Sequence, residues 1–152
     1  MFEFENSITI DRDIEDVFRF VTDLTTVPKW NYYVRSVTPT SDHPGTEGAT
    51  YHQIRKNDEQ ELVIVKLEPG RSFIVESIPP SKPEFRREMT FAPAGSSTTI
   101  TDRWQLDLGV PRLLEGLAAR RARSGVEENL GKLKMLLETG RVMLQDGRTF
   151  SL

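Results

Sequence analysis

Between Val34 and Leu108 the chain is a succession of short β-type runs separated by turn residues, and this constrains its fold more than any other feature. Val34 to Thr40 leads into a turn region at Pro44-Gly45 and Gly48, and Thr50 to Arg55 leads into Asn57-Asp58. Glu61 to Glu68 and Ser72 to Ile78 flank Pro69-Gly70, while Phe85 to Ala92 and Thr98 to Leu108 flank Pro93-Ala94-Gly95-Ser96. Proline presets φ and glycine supplies the positive φ of tight connections, so both pairs read as hairpins and the middle of the chain as an antiparallel meander.

From Phe2 to Ile10 the even positions read Phe, Phe, Asn, Ile, Ile and the odd ones Glu, Glu, Ser, Thr, which predicts a strand with one buried face. Asp13 then caps a short helix whose Ile14, Val17, Phe18 and Val21 share one stripe, ending before Pro28. After the meander a long helix starts near Pro111 or Arg112 and runs to about Thr139, with Val126, Leu130, Leu133 and Leu137 on one face and Gly140 as its stop. Gly116, Ser124 and Gly125 predict a kink or break in its first half. Strand, short helix, about six strands and one long helix make an α+β domain over residues 1–140, with a tail at 141–152 that carries no pattern. A sheet curled around one amphipathic helix leaves room for an apolar chamber, the kind of place ligands favour.

Among the 152 residues there is no cysteine, which excludes disulfides, thiolate metal sites and cysteine nucleophiles and fits a cytoplasmic setting. The longest aliphatic run is Leu62-Val63-Ile64-Val65 and the start lacks the basic and apolar regions of a signal peptide, so neither membrane insertion nor export is expected. A net charge of -3 argues against nucleic acid as a partner. His43 and His52 have no paired spacing, so no metal is expected. Neither a Gly-x-Ser-x-Gly elbow nor a glycine-rich phosphate loop occurs, so no cofactor is expected either.

The last predicted hairpin is the most informative segment. If Phe91 lies opposite Ile100, then Met89 faces Asp102 and Arg87 faces Trp104, so Arg87 and Asp102 become diagonal neighbours on the inward face. Buried charges are costly unless paired, which makes this pair a candidate for orienting a ligand carbonyl or phenol; the alternative is a solvated pair at a bulged or open strand end. Parity leaves open which of Tyr51, His52 and Gln53 point inward. Arg112, Arg120, Arg121 and Arg123 make a basic cluster on the long helix, either a solvated face or a contact for an acidic surface.

Three segments resemble the START-like (SRPBCC, birch-pollen-allergen-like) superfamily, in its polyketide cyclase/dehydrase and lipid-transport branch. They are Ser7 to Asp11 with Val17 to Asp23, Pro28-Lys29-Trp30 and Val34 to Val37; Val65-Lys66-Leu67-Glu68-Pro69-Gly70-Arg71; and Glu128 to Glu138. The resemblance implies a helix-grip fold, a curved sheet of about seven strands around the C-terminal helix, with a cavity for hydrophobic ligands. It also puts Pro79-Pro80-Ser81-Lys82-Pro83, a stiff loop that departs from the family pattern, at the cavity rim.

Parity and this layout together give an expected lining of Trp30, Val65, Phe73, Met89, Phe91, Trp104, Val126 and Leu130, with Arg87 and Asp102 fixing orientation. Trp30 either walls the entrance or plugs the sheet against the short helix, and Leu133 and Leu137 are expected to seal the core. The function expected is binding of a small hydrophobic or amphipathic molecule, lipid or polyketide-like. One rival is a polyketide cyclase or aromatase in which Arg87 polarises a carbonyl and Asp102 or a tyrosine such as Tyr51 shuttles a proton; another is a regulator that binds a protein partner through a filled core. A homodimer is left open.

Overall fold

The computed structural model describes all 152 residues. The N-terminal alternation becomes β1 (Phe2–Ile10), with Asn6 and Ile10 buried and the odd positions exposed. In α1 (Ile14–Thr22), the Asp13 carboxylate accepts from the Asp16 N–H at 3.0 Å, and Val17, Phe18 and Val21 are buried. A 3-10 turn, Leu24–Lys29, contains Pro28 and delivers Trp30 to the interior.

The meander follows as β2 (Val34–Pro39), β3 (Thr50–Arg55), β4 (Glu59–Glu68), β5 (Ser72–Ser77), β6 (Glu84–Ala94) and β7 (Ser97–Asp107). All pairings are antiparallel, in the order β1-β7-β6-β5-β4-β3-β2, so six strands are joined to their sequence neighbours while β1 reaches across the chain to β7. The register of the last hairpin is the expected one: Phe91 pairs Ile100, Met89 pairs Asp102 and Arg87 pairs Trp104.

Helix α2 (Arg112–Thr139) lies in the grip of the curved sheet, and Gly140 ends it at φ 82, its N–H bonded to the Leu136 carbonyl at 2.8 Å. That left-handed conformation is cheap only for glycine. The expected break at Gly116, Ser124 and Gly125 is not present, because helix runs unbroken from Arg112 to Thr139. Glycine inside a helix costs about 1 kcal/mol against alanine, which the packing of the second half outweighs.

A core of 21 buried residues fills the space between the sheet, α1 and the second half of α2, including Leu130, Leu133 and Leu137. Near its C-terminal end α2 carries a second, smaller cluster, Leu136 with Val142 and Leu144, onto which Phe20 and Phe150 pack. The tail is therefore structured as a small hairpin, β8 (Arg141–Met143) and β9 (Thr149–Ser151).

Val65 requires a correction. The β4 register shifts between Ile64 and Lys66, an irregularity that lets the inward face pass from Ile64 to Leu67. Val65 is left 42% exposed and does not line the cavity.

Candidate functional site

Along β6 and β7 one face points at α2, and what that face meets changes with depth. Phe85, Arg87 and Met89 border a cavity of about 540 Å³, as do Trp104 and Leu106. Further along the same faces, Phe91 and Ile100 are sealed into the core, Phe91 meeting the edge of Phe18 with ring centroids 5.0 Å apart. Helix α2 repeats the division: Val126 and Asn129 border the cavity, whereas Leu130 and Leu133 are core. The cavity thus occupies one end of the grip, under the first half of α2.

Arg87 and Asp102 meet at the boundary between cavity and core. Arg87 donates from Nε to Oδ1 at 2.8 Å and from Nη2 to Oδ2 at 2.6 Å, a two-pronged contact that matches the planar guanidinium to the planar carboxylate. Their side chains are 11% and 0% exposed, so the solvated alternative is excluded. The guanidinium carbon also lies 4.6 Å from the Trp104 ring centroid and 5.7 Å from that of Trp30, cation–π contacts that hold its plane. Trp104 also stacks on Phe4, with 10° between the ring planes. With the Nε–H and one Nη2 N–H committed to Asp102, both Nη1 N–H groups and the second Nη2 N–H are left to donate elsewhere.

Polar groups elsewhere in the wall are mostly tied to one another. Gln53 Nε2 donates to Gln60 Oε1 and Gln60 Nε2 to the Pro83 carbonyl, both at 2.9 Å, which fixes the proline-rich loop against the cavity. Three of the four buried side-chain polar atoms without a partner are nonetheless here: Trp30 Nε1, Trp104 Nε1 and Asn129 Oδ1. Unpaired polar atoms are rare in folded proteins, and these three border one cavity. The mouth lies at the start of α2, where Leu108, Val110, Leu114 and Leu117 both line the cavity and reach solvent.

Of the residues expected at the site, Trp30, Phe73, Arg87, Met89, Trp104 and Val126 line the cavity. Trp30 is only 1% exposed, so it serves as wall and as plug together. Phe91 and Leu130 stand one layer deeper in the core, and Asp102 sits behind Arg87. Tyr51 and Gln53 point inward and His52 outward. Tyr51 does not border the cavity; its hydroxyl accepts from the Gly45 N–H at 2.7 Å, and burial pushes the phenol above its ordinary value of 10.0. On the outer face His52 lies between Glu61 and Glu59. The wall also includes Arg121 of the basic cluster, together with Phe85, Gln60, Arg55 and Asn129, which no sequence expectation covers, although Phe85 shares its parity with Arg87.

The family model described as polyketide cyclase / dehydrase and lipid transport matches residues 1–138. No curated protein matches the chain. Among solved structures, DR_A0006 from Deinococcus radiodurans superposes with a TM-score of 0.67 at 19% identity, covering 91% of this chain and 99% of its own. A START superfamily protein from Mycobacterium smegmatis gives 0.64 at 12% identity, with 86% and 98% covered. DynU16, a protein of the dynemicin biosynthetic locus, gives 0.69 at 19% identity over 96% of this chain and 55% of its own. At these identities the likeness is one of fold. No helix here is long and apolar enough to cross a membrane.

Proposed function

The chain belongs to the polyketide cyclase / dehydrase and lipid transport family, and from that premise we propose that it binds a small hydrophobic or amphipathic molecule in the cavity under the first half of α2. The observation that carries this reading is the makeup of the wall: 21 of its 30 residues are hydrophobic, and none is Asp, Glu, Lys or His. Such a surface gains affinity by removing apolar ligand area from water, at about 25 cal/mol per Å² before the cost of association. Arg87, in the wall, keeps N–H groups not used on Asp102, and Asp102 cancels the charge behind it, which suits a neutral oxygen such as a carbonyl or phenol.

Cyclisation is the weaker reading, because neither Asp102 nor Tyr51 is placed to shuttle a proton, which leaves Tyr33 as the one phenol in the wall. Asp102 spends both oxygens on Arg87, and Tyr51 is anchored to Gly45 away from the wall. General acid–base work needs a titrating group within hydrogen-bond reach of the reacting atom. The open volume counts against a regulator with a filled core. A cysteine-free chain supports a cytoplasmic setting for this binding module.

The test is native mass spectrometry of freshly purified protein, followed by thermal-shift titration with polyketide-like phenols, fatty acids and sterols. Retention or stabilisation by one class, lost in Met89→Trp, which fills the cavity, and kept in Val65→Met on the outer face, is the expected result. Absence of any retained or stabilising molecule, or equal response in both variants, overturns the reading.

A further inference from the structure

At the approach to α2 and in its first turns, large apolar side chains stand in solvent in a density found nowhere else on the chain. Leu113 is 98% exposed, Leu114 and Leu117 are 52%, and Leu108 and Val110 are 38%. Met1, 66% exposed, adjoins them, since its amino group lies 4.0 Å from Glu115 Oε1. Residues three and four apart are neighbours on a helix, so Leu113 and Leu114 adjoin Leu117, and Leu117 adjoins Arg120 and Arg121. Arg112 and Arg123 are exposed on the same stretch, and none of the four arginines forms an ion pair. The acidic groups nearby are few: Glu115 faces the Met1 amino group, Asp107 accepts from the Gly109 N–H, Glu127 adjoins Arg123 one turn on without an ion pair, and Glu128 follows it.

We propose that this end of α2, with the turn that leads into it, docks the protein on an anionic membrane surface. Leucines flanked by unpaired arginines are what an interfacial helix presents to lipid: apolar side chains enter the acyl boundary and cations meet the phosphates. A second copy is the poorer occupant, because a two-fold contact would set each arginine cluster against its twin. Leu108, Val110, Leu114, Leu117 and Arg121 also line the cavity, so docking sets its mouth against the bilayer, and an amphiphile passes between lipid and protein without crossing water. Docking depends on the surface and not on which molecule the cavity holds.

The experiment is co-sedimentation of the full chain with vesicles of phosphatidylcholine alone and of phosphatidylcholine mixed equally with phosphatidylglycerol. Binding to the mixed vesicles only, weakened by salt, is expected. R120E/R123E is expected to lower the partition coefficient by at least about ten-fold and L113D to lower it too. Both variants should keep the wild-type circular dichroism, melting temperature and ligand response, because the substituted side chains are exposed and Leu113, Arg120 and Arg123 do not border the cavity. Equal partition to both vesicle types, no partition, or variants that sediment like wild type would overturn the proposal. So would a concentration-dependent dimer dissolved by L113D in ultracentrifugation. Wild-type protein that responds to ligand but ignores vesicles sinks docking alone; protein that sediments but retains no molecule sinks the cavity reading alone.

Discussion

Arg87 and Asp102 hold each other by two hydrogen bonds, at 2.8 and 2.6 Å, across diagonal positions of neighbouring strands, with the carboxylate wholly out of solvent. Removing one member strands the other as a buried, uncompensated charge. Asp102→Ala should therefore cost about 3–5 kcal/mol in urea unfolding, whereas the double change Arg87→Met with Asp102→Leu should recover most of it, because two apolar side chains need no partner. A double variant as unstable as the single one would show that the pair supports the fold in some way other than charge compensation.

His52 gives the outer face of the sheet a pH dependence. Its hydrogen bond to Glu61, with the nearby charges of Glu61 and Glu59, holds the imidazole above its ordinary value of 6.5. The folded protein thus binds the proton more tightly than the unfolded chain does. The resulting stabilisation is fully present below 6.5 and is lost as pH rises through the raised folded value. Melting temperatures between about pH 5.5 and pH 8.5 should fall by more in wild type than in His52→Gln. An imidazole titrating at or below 6.5 by NMR would refute this.

The last residues are expected to matter to stability. Leu144 is 2% exposed and packs with Leu136 and Val142 in the smaller cluster, none of whose members borders the cavity. Leu144→Ala should cost about 2–5 kcal/mol, the usual penalty for emptying a buried leucine site. A loss under about 0.5 kcal/mol in denaturant titration would mean that the hairpin does not share the domain's cooperativity.

Gly125 offers a stabilising change. A Cβ built there would lie 3.6 Å from the nearest carbon of the Tyr33 ring, an ordinary van der Waals contact, and the residue sits inside a continuous helix. Gly125→Ala should raise stability by about 0.5–1 kcal/mol through helix propensity. Destabilisation would reveal that Tyr33 has no freedom to accommodate even that contact.

What the sequence made legible follows from the short reach of its signals. Period-two alternation and turn chemistry gave the strands within a residue or two, and the pairing of Phe91 with Ile100 was enough to bring Arg87 to Asp102. Parity assigns a face but not a depth along it. That is why Met89 at the cavity and Phe91 in the core looked alike, and why Leu130 was grouped with Val126. Val65 was lost because a one-residue register shift leaves no mark in composition. The tail escaped because three-residue strands are too short to display a period, and the cavity-bordering Asn129 had only its helical spacing to mark it.

The position of β1 beside β7 has a consequence for how the molecule assembles. Every other sheet pairing joins strands adjacent in sequence, so those hairpins can form as the chain emerges from the ribosome. Phe2–Ile10 must wait until Ser97–Asp107 has been synthesised, leaving an apolar face without its partner while β2 to β6 are made. Phe2–Ile10 thus precedes every strand of the meander yet pairs only with the last of them, and that pairing closes the longest loop in the sheet.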